Sequence, residues 1–180
     1  GLYITFEEKK EEFYKNMLDF GWDLEQAEKS GKFVFLEYSP EKVKMMLEEG
    51  GGAIESIIFK KKITRMVIDS ITSFALLFED EFAKREAAIS LFGMISDWDC
   101  TSLLTLEEDP LEQGRETSHA LEFEVDSIIA IYSVREKTER QRYLEVLKMR
   151  GTNHSKKVYP FTIGKGGISM KKISVSRPFK

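Results

Sequence analysis

The segment Ile63–Asp69 reads ITRMVID and is followed directly by Ser70. Its run of apolar, partly β-branched residues predicts a strand buried in a sheet that is covered on both faces. Three other apolar segments predict further strands, at 1–6, 33–38 and 101–106, and segments with helical spacing lie between them, at 8–20, 53–60 and 81–96. In the last helix we expect Phe82, Ile89 and Phe92 to face the sheet. Strands that alternate with helices predict an α/β fold with a mostly parallel central sheet flanked by helices.

The pattern changes after residue 124, where strand-like segments follow one another without helices. Residues 125–134 and 143–149 predict a hairpin separated by the charged stretch 135–142, and residues 161–163 and 167–169 predict a shorter one. We therefore expect an antiparallel C-terminal edge on the sheet. Residues 1–170 are interpreted as one core domain and 171–180 as a basic tail.

Composition excludes several functional classes. The 180 residues carry 27 Lys and Arg against 31 Asp and Glu, a formal charge of −4, so no global basic field is present to hold nucleic acid. One cysteine, Cys100, cannot form an internal disulfide, which favours a reducing compartment. No apolar run approaches the ~20 residues that cross a bilayer, and no signal sequence opens the chain, so we expect a cytoplasmic protein without a membrane partner.

Acidic residues follow three of the predicted parallel strands: Glu7 and Glu8, Asp69, and Glu107 with Glu108. Ligands collect at the carboxyl ends of strands in open α/β sheets. An apolar strand that ends in Asp-Ser is a pattern used to hold Mg²⁺ near phosphates, and a neighbouring carboxylate can activate water. The alternative is that each acid is a solvated strand end or helix N-terminal residue.

A second set of polar residues lies in the segment Leu147–His154. Lys148 and Arg150 are two positions apart on a strand and project to one face, and Gly151 lets Thr152 and His154 turn toward the same ligand. Such a group suits a phosphate. The alternative is an exposed edge strand whose cations prevent unwanted pairing.

Taken together, these segments resemble the KaiC family of RecA-like ATPases over nearly the whole chain. The paired glutamates after Thr-Phe and the Lys-x-Arg-Gly-Thr run are the specific features. The segments that carry the resemblance are Tyr3–Glu8, Phe20–Leu24, Val67–Thr72, Glu124–Ile129, Leu144–Thr152 and Tyr159–Ile163. The resemblance implies a RecA-like P-loop NTPase fold.

The resemblance also implies roles for particular residues. Glu7 and Glu8 match the carboxylates that activate water, and Asp69 matches the residue that coordinates Mg²⁺. Residues implied to reach a neighbouring subunit's nucleotide are Lys148, Met149, Arg150, Thr152 and His154, while Arg142 and Ile163 match positions near the base or ribose. The implied cofactors are ATP or ADP and Mg²⁺, and the implied assembly is a homo-oligomeric ring, with a hexamer as one candidate.

One family feature is missing from these residues: no Gly-x-x-x-x-Gly-Lys-Ser/Thr phosphate loop occurs in them. In the family this loop and its strand precede the strand at 1–6, so we expect them upstream of Gly1. Without them the sheet is expected to lack a central member, with unpaired strand edges and bare apolar surface. The chain alone is then expected to be inactive as an ATPase. The alternatives are a non-catalytic assembly module of the same fold, and a DNA-associated regulator that uses the basic tail.

Overall fold

The computed structural model of the chain describes residues 1–39, 41–42, 45, 48–78, 80–107, 124–136 and 138–171. Within this part the chain divides into two compact units, with residues 1–107 in the first and 124–171 in the second. The elements of the first unit are β1 (Leu2–Thr5), α1 (Lys10–Asp19), α2 (Leu24–Lys29), β2 (Val34–Glu37), α3 (Gly52–Lys61), β3 (Arg65–Asp69), α4 (Ile71–Ala75), α5 (Glu81–Asp97) and β4 (Thr101–Leu104).

The first unit is built on a parallel four-stranded sheet with the order β2-β1-β3-β4. One sheet face carries an apolar core, because alternate side chains of the strands pack against α3 and α5. Its buried members include Leu2, Ile4, Met66 and Ile68 from the strands and Ile54, Ile58, Leu91 and Ile95 from the helices. Asp80 caps α5 by accepting from the backbone N–H of Ala83 at 2.7 Å. The predicted α/β fold with a parallel sheet is confirmed.

The opposite sheet face is covered only in part by the described residues. Over β1 and β2, Tyr3 and Phe35 pack against Phe13 of α1. Toward β4, Leu103 shares this face and is 54 % exposed. β3 and β4 pair directly from Arg65 and Thr101 onward, and β4 has no second partner strand among the described residues, so whether a further strand belongs in this sheet stays a prediction.

The face of α5 that packs on the sheet differs from the prediction. Phe82 is 71 % exposed and Ile89 is 46 % exposed, whereas Phe92 is partly buried. The buried stripe instead contains Leu91 and Ile95, four positions apart, which lie on one face of a helix. Phe82 and Ile89 lie on another face of α5, so the prediction for these two residues is wrong.

The second unit is an antiparallel sheet with the order β5-β6-β7-β8, formed by β5 (Ser127–Glu136), β6 (Glu139–Met149), β7 (Tyr159–Gly164) and β8 (Gly167–Met170). Both predicted hairpins are present. Most of the charged stretch 135–142 extends the first hairpin's strands. The sequence predicted these strands at an edge of the parallel sheet. In the structure they form a separate sheet, because consecutive strands of the second unit pair with one another.

Two further predictions concern other parts of the chain. Glu108 and residues 172–180 of the predicted basic tail lie outside the described residues. Among the helices that are described, none is long and apolar enough to span a membrane.

Candidate functional site

The carboxyl ends of the parallel strands form a polar row. Glu37, Thr5 and Asp69 are register partners on β2, β1 and β3, and Thr105 follows β4 at the corresponding level. The backbone N–H of Phe6 donates to the carbonyl of Asp69 at 3.0 Å. The turn that carries the paired glutamates is therefore hydrogen-bonded directly to the strand end that carries Asp69.

Thr5 shapes the turn that carries Glu7 and Glu8. Its buried hydroxyl oxygen accepts hydrogen bonds from the backbone N–H groups of Glu7 at 3.2 Å and Glu8 at 3.1 Å. The hydroxyl of Ser73 in α4 donates to the carboxylate of Glu7. Both glutamate side chains are exposed at the end of the sheet, so they are accessible to a ligand.

The carboxylate of Asp69 accepts a hydrogen bond at each oxygen. The Tyr3 hydroxyl donates to Oδ2 at 2.5 Å, and the Thr105 hydroxyl donates to Oδ1 at 2.6 Å. Tyr3 lies on β1 and Thr105 directly follows β4, and these strands flank β3, so Asp69 is held from both sides. Hydrogen bonds to a charged acceptor are the stronger ones in proteins.

The clustered charge changes the proton affinity of two groups. Burial, and then the negative charges of Asp69, Glu12 and Glu7, raise the pKa of Glu8 above its ordinary value. Burial and the hydrogen bond to Asp69 raise the pKa of the Tyr3 hydroxyl, which therefore stays protonated as a donor. A carboxylate with a raised pKa accepts a proton more readily, which is the property required of a general base.

The carboxylate oxygens at the carboxyl ends of β1 and β3 fit part of a Mg²⁺ site. Among the described residues no group of three or more His, Cys, Asp or Glu side chains is placed to hold a metal ion. Mg²⁺ is usually bound through one or two carboxylates and completes its shell with water and substrate phosphates. Asp69, with Glu7 and Glu8 close to it in the fold, supplies hard oxygen ligands of that kind.

Sequence reasoning missed Tyr3, Thr105 and Ser73. A signal for Thr105 was present, because Thr5, Asp69 and Thr105 are polar residues at equivalent positions of three strand ends. Tyr3 precedes Thr5 by two residues and therefore shares its face. The contact of Ser73 with Glu7 had no local signal, since it depends on how α4 packs.

The predicted phosphate-contacting residues lie at the end of β6 in the second unit. Lys148 and Met149 are its last two residues, and Arg150 follows directly. The Arg150 side chain forms an exposed ion pair with Asp126 at 3.4 Å, and the backbone N–H of Arg150 donates to the carbonyl of Asp126 at 2.9 Å. These residues therefore form a cationic strand end, in which Arg150 is exposed and Lys148 and Met149 are partly buried.

The loop after this strand end contains Thr152 and His154. Gly151 adopts a positive φ of 66°, which only glycine takes readily, so the chain can turn there as predicted. The N–H of His154 donates to the carbonyl of Thr152 at 3.0 Å. In the described part of the chain, Nδ1 of His154 is buried and has no hydrogen-bond partner.

Arg142 and Ile163 lie on β6 and β7. Arg142 pairs with Phe161, which is two residues from Ile163, so both side chains share one face of the antiparallel sheet. Both are exposed, with Ile163 at 47 %. The structure thus brings this pair onto one surface in the second unit, and it brings Glu7, Glu8 and Asp69 together in the first.

Comparisons with known proteins show which family the chain resembles. A family model described as "ATPase: KaiC" matches residues 1–175. The circadian clock protein KaiC3 of Synechocystis sp. is 33 % identical over 177 residues, which cover 93 % of this chain and 35 % of that protein. The circadian clock oscillator protein KaiC of Synechococcus elongatus is also 33 % identical over 177 residues, which cover 94 % of this chain and 34 % of that protein. The chain thus spans about a third of the length of these relatives.

A solved structure of similar fold is the KaiC-like protein from the archaeon Pyrococcus horikoshii OT3. It superimposes with a TM-score of 0.80 at 33 % sequence identity, and the match covers 95 % of this chain and 74 % of that chain. The similarity includes both the parallel and the antiparallel parts, since 95 % coverage cannot be reached by either unit alone.

Proposed function

Because the chain belongs to the KaiC family of ATPases, we propose that it is a module that binds and hydrolyses ATP with Mg²⁺ at a boundary between subunits. The observation that carries the proposal is the edge at which β1 and β3 end. There the turn that carries Glu7 and Glu8 is hydrogen-bonded to the strand end of Asp69, so the carboxylates that we propose to activate water and to bind the metal lie near one another.

The proposed chemistry divides among three carboxylates. Asp69 holds Mg²⁺, which when bound neutralises charge on the phosphates. Glu7 and Glu8 orient the attacking water and accept its proton, a role that the raised pKa of Glu8 supports. Thr5 keeps both glutamates at the strand end through its two backbone hydrogen bonds.

The cationic strand end of β6 is proposed to serve a neighbouring subunit. Lys148 and Arg150 would contact phosphates of the nucleotide held by that neighbour, as charge-assisted donors. The remaining residues of this proposal are Met149, Thr152 and His154 for the same contact, and Arg142 and Ile163 for the base or ribose. The exposure of Arg142, Arg150, Thr152 and Ile163 in the second unit supports it. The assembly proposed is a homo-oligomeric ring that binds ATP and ADP.

We propose that the phosphate loop comes from sequence ahead of this segment in the full protein. The partly uncovered sheet face around Leu103 supports this proposal, because an apolar side chain there is 54 % exposed. The competing function is a non-catalytic assembly module of the same fold. It is favoured by the lack of a phosphate-loop motif in the 180 residues.

Turnover of ATP tests the catalytic proposal in a protein that carries a phosphate loop ahead of this domain. Glu8→Gln and Arg150→Ala are each expected to lower turnover by ~10²-fold or more, because each removes a group that acts in the transition state. The matched controls Glu11→Gln on α1 and Arg140→Ala on β6 are exposed and should leave turnover unchanged. Full turnover in both Glu8→Gln and Arg150→Ala would contradict the assignment.

Calorimetry with Mg-ATP separates the two functions when it compares the 180-residue chain with a protein that also carries the preceding sequence. The assembly module predicts no tight binding of Mg-ATP, and so does an ATPase whose phosphate loop is missing. Tight, stoichiometric binding would therefore exclude the assembly module and the need for an upstream loop. Binding that appears only after the preceding sequence is added supports the proposed ATPase.

A further inference from the structure

We propose that Tyr3 and Thr105 are positioning residues that fix the Asp69 carboxylate for a divalent cation. The inference rests on the proposed function of Asp69 and goes beyond it. Its basis is that the two hydroxyls donate to different oxygens of one carboxylate, at 2.5 Å from Tyr3 and 2.6 Å from Thr105. The two hydroxyls, one from β1 and one from the residue that follows β4, therefore restrict rotation of the carboxylate.

Tyr3 is itself held in place by aromatic packing. Its ring centroid lies 4.5 Å from that of Phe13 and 5.7 Å from that of Phe35, and its ring is nearly parallel to Phe35, at 5°. The hydroxyl therefore projects from a fixed ring to the end of the sheet. Thr105 is fixed in another way, because its backbone N–H donates to the carbonyl of Ile68 at 3.1 Å.

The two hydrogen bonds leave Asp69 able to bind a cation. An ionised carboxylate has about four lone-pair sites, and the two hydroxyls occupy one on each oxygen. The remaining sites point in directions that the two donors determine. Carboxylates that bind metals are themselves commonly hydrogen-bonded, and loss of such a partner typically lowers metal affinity by about 10- to 100-fold.

Binding of Mn²⁺ as a Mg²⁺ substitute tests the inference on the 180-residue chain, with free Mn²⁺ followed by electron paramagnetic resonance. We expect one Mn²⁺ site that Mg²⁺ displaces and that Asp69→Asn removes. Tyr3→Phe and Thr105→Val should each weaken it by about 10-fold or more, whereas Thr105→Ser keeps the hydroxyl and should keep the affinity.

Tyr14→Phe is the matched control, because Tyr14 belongs to the same aromatic cluster but donates to Glu28. It should leave Mn²⁺ binding unchanged. A site that Asp69→Asn removes but that Tyr3→Phe and Thr105→Val leave intact would overturn the positioning role alone. A Mn²⁺ site insensitive to Asp69→Asn, or no Mn²⁺ site in the parent chain, would overturn both the positioning role and the assignment of Asp69 as a cation ligand in this chain.

Discussion

Replacing Tyr132 by Phe should destabilise the second unit through a buried hydrogen bond. The Tyr132 hydroxyl donates to Oε1 of Glu145 at 2.7 Å, and the two residues are only 6 % and 5 % exposed. Phe keeps the ring in the core with Val158 but removes this donor from a buried carboxylate. A buried charged acceptor cannot turn to bulk water for a replacement, so the loss is expected to be large.

The size of the effect follows from the burial of the acceptor. A hydrogen bond to a charged group contributes about 1.5–3 kcal/mol to the free energy of unfolding. Tyr143 is the matched control, because it pairs with Tyr132 across the hairpin and is equally buried, but its hydroxyl donates to the exposed Glu136. Tyr143→Phe should cost less than about 1 kcal/mol, since water can solvate Glu136.

Hydrogen exchange measured by mass spectrometry at increasing urea concentrations can follow the second unit through peptides of β5 and β6. For a loss of about 2 kcal/mol, the urea midpoint of these peptides should fall by about 1 M. Trp22 and Trp98 both lie in the first unit, so tryptophan fluorescence should report an unchanged midpoint there. Equal losses in Tyr132→Phe and Tyr143→Phe would refute the reasoning from acceptor burial.

Three further predictions concern the first unit. Glu12→Gln removes a negative charge that raises the pKa of Glu8, so carbon-detected NMR titration should show a lower pKa of Glu8 than in the parent chain; an unchanged pKa would contradict the charge effect. Leu91→Ala should lower the free energy of unfolding by about 2–5 kcal/mol in urea titration by tryptophan fluorescence, because the side chain is 2 % exposed, and a loss below about 1 kcal/mol would count against this packing. The hydrogen bond from Lys10 lowers the pKa of Glu28, so its stabilisation is present above the unfolded pKa and is lost as pH falls through the folded pKa. In Lys10→Met, the decrease in the free energy of unfolding between pH 7 and pH 3 should be smaller than in the parent chain, by less than about 1 kcal/mol. The same pH dependence in both proteins would argue against a contribution from the Lys10–Glu28 pair.

The fold class and the order of the strands along the chain could be predicted, because strand periodicity and turn residues are local signals in the sequence. The apolar run ending at Asp69 is the strand β3, and the two hairpins of the second unit are formed by the segments that were predicted to form them. The inward face of α5 could not be predicted from the size of its residues. Phe82 is large and apolar, but the face of α5 that contains Leu91 and Ile95 packs on the sheet. Tertiary contacts determine which face of the helix is buried.

The candidate site could be predicted where it depends on strand ends. Glu7, Glu8 and Asp69 follow from the rule that carboxyl ends of adjacent parallel strands meet at one edge. The donors to Asp69 could not be predicted in the same way, because a Tyr or Thr on a strand is usually a packing residue. Their role depends on a register between β1, β3 and β4 that no single segment encodes.

At Glu8, the effect of a substitution on stability can be distinguished from its effect on catalysis. Among the described residues, hydroxyl groups donate to Asp69 and Glu7, but none donates to the carboxylate of Glu8, whose pKa is raised. An acid with a raised folded pKa stabilises the fold below its unfolded pKa, and that contribution is lost as pH rises through the folded pKa. Glu8→Gln removes a carboxyl group whose ionisation the surrounding negative charge disfavours. If Glu8→Gln loses ATP turnover while its free energy of unfolding matches that of the parent chain, the loss reflects the role of the carboxylate at the site and not a weaker fold.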